Sequence, residues 1–252
     1  LNRFKKDGFN FANWALKEDP TQTFIDGEGC SNLAGADGEV TLIAQWTPDP
    51  NATQYSLVFW AKGGVFTVDG TTENHTKKVT YGQPIGELFE VTRAGYQFKG
   101  WFTKAEGGTQ KTADSNYWTE GSDNLYAQWT ANSYTVKFEG GEGATGSMSD
   151  QAFTYDAPQA LSANAFEKKG YKFAGWALKE DPSKTFTDGE VVSNLTDVAN
   201  GVVTLVAKWV GNDYTIEFNA RGGVFTIDGT TENHTKKVTY GQPIGELFEV
   251  TR

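Results

Sequence analysis

The chain carries little that performs covalent or redox chemistry. Among 252 residues there is one cysteine, Cys30, one methionine and two histidines. A lone cysteine excludes an intrachain disulfide framework and any paired-thiol metal site. Cys30 is expected to pack as a small apolar side chain, because its counterparts in a later repeat lie near Val191 and Val192. His75 and His234 fall at one position in two copies of the segment TTENHTKK. Single histidines in separate units make no metal-ligand cluster. Nucleophile-elbow, zincin and P-loop motifs are missing as well.

Long apolar runs are also lacking, and none approaches the roughly 20 residues that a membrane-spanning helix needs. The opening LNRFKKDGF does not have the form of a signal peptide, so any export or anchoring signal is expected outside this stretch. Basic residues are outnumbered, 22 against 32 acidic, giving a net charge of −10. That balance argues against nucleic acid, heparin-like polymers and anionic membranes, which call for basic surfaces. It reads instead as a soluble, self-repelling surface. Proline is scarce at 7 residues while glycine reaches 29, which suits short strands joined by tight turns better than long helices.

What the chain has in abundance is repetition. GYQFKGW at 95–101 returns as GYKFAGW at 170–176 and as GFNFANW at 8–14. Residues 63–93 match 222–252 everywhere except Val68 against Ile227. WALKEDPTQTFIDGE from Trp14 returns as WALKEDPSKTFTDGE from Trp176. A shorter period runs between these copies, with YSLVF at 55, YTVKF at 134 and YTIEF at 214. LIAQW, LYAQW and LVAKW end at Trp46, Trp129 and Trp209. Landmarks that keep their order and spacing define a tandem array with a unit of about 80 residues. The units are 1–46, the C-terminal half of a repeat; 55–129 and 134–209, complete repeats; and 214–252, the N-terminal half of a repeat.

Within a unit, Tyr134, Val136 and Phe138 alternate with Thr135 and Lys137, the pattern of a strand with one buried face. A second strand is expected around 77–81. Pro84 suits an early helical position, so a short helix is expected in GQPIGELFEVTR, residues 82–93. Tyr96 and Phe98 again alternate, but Trp101 falls an odd number of positions further on. A bulge at Gly100 would turn its indole inward. Leu125, Ala127 and Trp129 close the unit. The expected class is α+β, a strand-strand-helix-strand-strand module repeated in a strand-rich, elongated array. Tyr96, Phe98 and Trp101 are expected to be core anchors, since a domain of this size without disulfides depends on large aromatic side chains.

The runs GYQFKGWFTKAEGGT … LYAQWTANSYTVKF and GYKFAGWALKEDPSKTF … LVAKWVGNDYTIEF closely resemble the Listeria–Bacteroides repeat, the B-repeat of internalin B. The more divergent GFNFANWALKEDPTQTF … LIAQW is similar. The resemblance implies a β-grasp module with its first and last strands side by side, found in tandem in exported bacterial surface proteins. It implies a non-enzymatic stalk, spacer or fibre-forming segment at the extracellular face of the cell. Asn13 departs from the Gly-Trp pattern, and asparagine accepts a positive φ better than other replacements.

No catalytic, cofactor-binding or metal-ligating residue is assigned, and no cofactor. The DGE motifs, Asp26–Glu28 and Asp188–Glu190, lack the dense oxygen spacing of a calcium loop and read as solvated turns. Asn74 and Asn233 begin glycosylation sequons, a weak signal in a bacterial protein. Expected partners are neighbouring copies or repeats, joined head to tail, with the 214–252 half-unit completed by a 1–46 half-unit. The alternative is an adhesin that binds a host protein or glycan through the duplicated hairpin GGVFTVDGTTENHTKK.

Overall fold

The computed structural model describes residues 2–31, 33 and 38–252, so Leu1, Asn32 and residues 34–37 of the 1–46 half-unit lie outside it. The chain divides into two compact units, Leu1–Thr130 and Ala131–Arg252.

In the first unit, strands Gln54–Trp60, His75–Thr80, Tyr96–Phe102, Gln110–Lys111 and Asp123–Ala131 share one sheet. Gln54–Trp60 lies between His75–Thr80, its antiparallel neighbour, and Asp123–Ala131. The pairing with Asp123–Ala131 is parallel, running from Leu57 beside Asp123 to Trp60 beside Tyr126. A smaller sheet places Phe9–Leu16 between Thr23–Phe24 and Leu42–Pro48.

The second unit repeats the arrangement. Ser133–Glu139 lies between Gln151–Thr154 and Gly201–Gly211, followed by Tyr171–Leu178 and Thr185–Phe186. The parallel pair runs from Tyr134 beside Gly201 to Glu139 beside Val206. The half-unit 214–252 contributes two strand pairs, Asp213–Phe218 with His234–Thr239 and Val224–Phe225 with Val250–Thr251.

Among the described residues there is no helix. The α+β class, the helix over 82–93 and the β-grasp-like module built around it are therefore corrected to an all-β module. The reason lies in where the 82–93 backbone finds its partners. Gly82 and Gly86 have φ of 75° and 73°, which breaks any helical run. The amides of Gly82, Ile85 and Gly86 donate to Tyr117, Ser115 and Ala113, while Gln83 accepts from the Tyr117 amide. Val91 and Thr92 pair with Phe66 and Val65 respectively. Backbone groups that a helix would satisfy internally are satisfied across the module instead, and the segment lies extended over one sheet face.

Beneath it sits an aromatic core. Trp101 is 1% exposed and meets Phe59 edge to face at 4.9 Å. Trp176 is fully buried and tilts against Phe138 at 4.9 Å. The bulge expected at Gly100 has counterparts in the other two units, where the register shifts between Phe173 and Gly175 and between Phe11 and Asn13. Gly100 and Gly175 have φ of 131° and 118°, and a Cβ on Gly175 would lie 2.6 Å from the Phe186 carbonyl oxygen. Asn13 reaches the same register shift without a positive φ, contrary to the expectation for that replacement.

Three further expectations are corrected. Phe98 is no core residue: it is 40% exposed and lies on the outer edges of Trp101 and Trp129. Tyr96 is half-buried beneath the Arg93 guanidinium, 3.7 Å from the ring centre. Cys30 fills no gap and is exposed, because its segment 25–31 carries no strand to hold it against the sheet.

Candidate functional site

The duplicated hairpin is organised by an aspartate two residues before a threonine. Asp69 accepts from both the amide and the hydroxyl of Thr71 at 3.0 Å, and Asp228 does the same with Thr230. The amide holds each carboxyl below the usual aspartate range, assisted by the threonine hydroxyl and the nearby histidine. His75 Nε2 lies 3.0 Å from the other Asp69 oxygen, while its Nδ1 lies 2.9 Å from the Glu73 carbonyl. The imidazole stacks on Phe66 with ring centres 4.0 Å apart. His234 Nε2 lies 3.1 Å from Asp228 without hydrogen-bond geometry, and its ring sits edge-on to Phe225. His75 thus fastens its own loop, His234 lies beside the corresponding aspartate, and the two histidines lie in different units.

The loop presents one apolar side chain outward, Val68 at 67% exposure and Ile227 at 68%. This is the one position at which the two 31-residue copies differ. Asn74 and Asn233, which open the sequons, are exposed, and Asn233 donates to Glu217.

Both DGE segments are turns closed by their own glutamate. Glu28 accepts from the Ile25 amide at 2.9 Å, and Glu190 from the Thr187 amide at 2.7 Å. Asp188 accepts from the Asn164 amide at 2.8 Å, and Asp26 from that of Asn2. Their oxygens serve the turns rather than one point in space. Among the described residues no three His, Cys, Asp or Glu side chains converge as a metal site would require.

The extended 82–93 segment is flanked by two grooves that sequence reasoning did not anticipate. One, of about 560 Å³, is lined by Leu88, Phe89, Val91, Phe98 and Trp101. The other, of about 460 Å³, lies beside Val68, Lys77, Leu88 and Phe89. Its counterpart in the second copy lies beside Ile227, Lys236, Leu247 and Phe248. A second unanticipated feature is the pair Trp60 and Tyr126, stacked across the parallel strands on the face away from the core. The Trp60 indole donates to the Asn124 side-chain oxygen at 2.9 Å. The sequence does hold a signal for this pair. Trp60 stands where other units have Glu139 and Asn219, and Tyr126 where they have Val206 and Ile43.

The pattern of a buried Gly-Trp and a closing Ala-x-Trp can be compared with known proteins. The model of the Listeria–Bacteroides repeat domain matches residues 55–128 and 134–208, more than half of the chain. The chain belongs to the Listeria–Bacteroides repeat family. Internalin H of Listeria monocytogenes is 33% identical over 153 residues, covering 59% of this chain and 25% of that protein. A protein of Evansella cellulosilytica named "Putative Gly-rich membrane protein" is 29% identical over 233 residues, 90% of this chain and 24% of its own length. The chain therefore spans about a quarter of these relatives. No helix among the described residues is long and apolar enough to cross a membrane, which leaves β-barrels unaddressed.

Proposed function

We propose that the chain is a non-enzymatic spacer segment of an exported bacterial surface protein, a run of self-packing modules that sets distance along a longer array. The observation that carries this reading is how the repeated residues are used. Trp101 and Trp176 fill cores, and Trp129 and Trp209 donate their indole N–H groups to Ala61 and Gly140 at 2.9 and 2.7 Å. The family motif thus closes each module and leaves no repeated reactive group. The kinship to internalin H supports a place at the cell surface.

Neighbouring repeats are the partners this reading requires. Ile244 and Val250 are 41% and 51% exposed, whereas their counterparts Ile85 and Val91 in the complete module are 4% and 7% exposed. An apolar face of this kind takes the last two strands of a unit, supplied by the same polypeptide or by a second copy. Sedimentation of this chain separates the sources, since only the second makes its mass depend on concentration.

The adhesin reading rests on Val68 and Ile227, exposed on loops that are otherwise identical. Binding of the full chain to arrays of host glycans and surface proteins tests the two. The spacer reading expects no saturable binding. Saturable binding that disappears when residues 63–78 and 222–237 are replaced would overturn it.

A further inference from the structure

The path of the chain through a complete module carries a mechanical consequence. The chain passes into the first module at Gln54–Trp60 and leaves it through Asp123–Ala131, and these two strands are parallel neighbours. In the second module the same holds for Ser133–Glu139 and Gly201–Gly211. Parallel pairing puts the point of entry and the point of exit at opposite ends of one ladder. Tension along the polypeptide then draws the two strands past each other lengthwise. Every ladder hydrogen bond is loaded at once, whereas strands pulled from the same end open one bond at a time.

The connections deliver this load without slack. A single residue, Asn132, separates Asp123–Ala131 from Ser133–Glu139, and a single residue, Asn212, separates Gly201–Gly211 from Asp213–Phe218. Asn212 is itself held, donating its amide to the Gly170 carbonyl and accepting from the Tyr240 amide. The closing tryptophans reinforce the pair from the side, because Trp129 and Trp209 reach from the last strand to carbonyls just past the first. Trp60 and Tyr126 stack across the same pair on its other face.

We infer that each complete module is a load-bearing element, in which the parallel pair of first and last strands resists stretching of the array by shear. The inference deepens the spacer reading, and the two fail separately. Ligand binding through the hairpin loops would overturn the spacer reading and leave the mechanics untouched.

Single-molecule stretching of the full chain between paired handles tests it, in a Cys30→Ser background so that the handles attach only where intended. Thr53, Ser122 and Thr130 are exposed; Thr53 and Ser122 immediately precede the two strands, and Thr130 lies at the far end of the last. Handles at Thr53→Cys and Thr130→Cys load the pair in shear. Handles at Thr53→Cys and Ser122→Cys pull both strands from the same end. At equal loading rate, shear is expected to require a several-fold higher unfolding force, the quantity that the unfolding barrier governs. Equal forces in the two geometries would overturn the inference. Stretching the chain from its termini, with no substitution in either module, gives a second reading. Two unfolding events at the shear level are expected, one of which Trp101→Ala removes. Events at the force of the same-end geometry would again overturn it.

Discussion

The Trp101 indole donates its N–H to the Phe89 carbonyl oxygen at 2.9 Å, joining the floor of the core to the extended segment that covers it. Both the ring and the bond stabilise the module. Trp101→Ala is expected to cost about 3–5 kcal/mol, as loss of a buried aromatic does. Trp101→Phe keeps much of the packing and is expected to lose about 1 kcal/mol through the bond alone, plus the strain of refilling the space. Urea unfolding followed by fluorescence of the remaining tryptophans measures both. An unchanged midpoint for Trp101→Ala would contradict the packing assignment.

Residues 55–129 are expected to fold when separated from the rest. The core of this module is drawn wholly from residues between Leu57 and Ala127, with Tyr55 and Trp129 packed at its margin. A neighbour contributes the Gly8 carbonyl that accepts from Gln83, a part-buried bond worth about 1 kcal/mol. It also contributes close backbone packing of Asp7 and Gly8 on Gly82 and Tyr81, and none of these contacts enters the core. A cooperative urea transition of the isolated segment is the expected result. A spectrum with collapsed amide dispersion would place essential contacts outside the module.

The aspartate-threonine turns give the loops an acid dependence whose sign is fixed. The carboxyls of Asp69 and Asp228 lie below their usual range, with the Thr71 and Thr230 amides as the first cause. Their contribution to loop stability is present above the unfolded aspartate value, roughly 3.9, and disappears as pH falls through the lower folded value. Carboxyl titration by NMR is expected to place both below an unperturbed aspartate. Thr71→Val should raise Asp69 only partway, since the amide bond remains. A full return to the ordinary value would assign the effect to the hydroxyl.

The sheet was legible in the sequence wherever alternation and repetition agreed. Tyr134, Val136 and Phe138 face one way, and the inward turn of Trp101 was readable from the odd spacing and Gly100. The covering segment was not, because Pro84 points toward a helix start while the decisive partners, Ala113, Ser115 and Tyr117, lie some 30 residues away. Propensity is a local signal, and these hydrogen bonds are not local. Phe98 misled for a related reason. Alternation grouped it with Tyr96, and an inward turn of Trp101 at Gly100 was expected to gather all three in the core. Phe98 is instead 40% exposed and packs on Trp101 and Trp129 from outside. The hairpin loop was visible as a duplication, yet its internal order required seeing Asp69, Thr71 and His75 meet.

The central claim is that a module closes only when its last strand lies parallel against its first, and one internal comparison tests it directly. His75–Thr80 and His234–Thr239 have the same sequence, HTKKVT, and equivalent antiparallel partners, Gln54–Trp60 and Asp213–Phe218. Only the first belongs to a sheet that continues through a parallel last strand. Hydrogen–deuterium exchange on the full chain at low concentration is expected to show strong protection of the amides of residues 75–80 and much weaker protection of 234–239. Equal protection of the two segments would contradict the account.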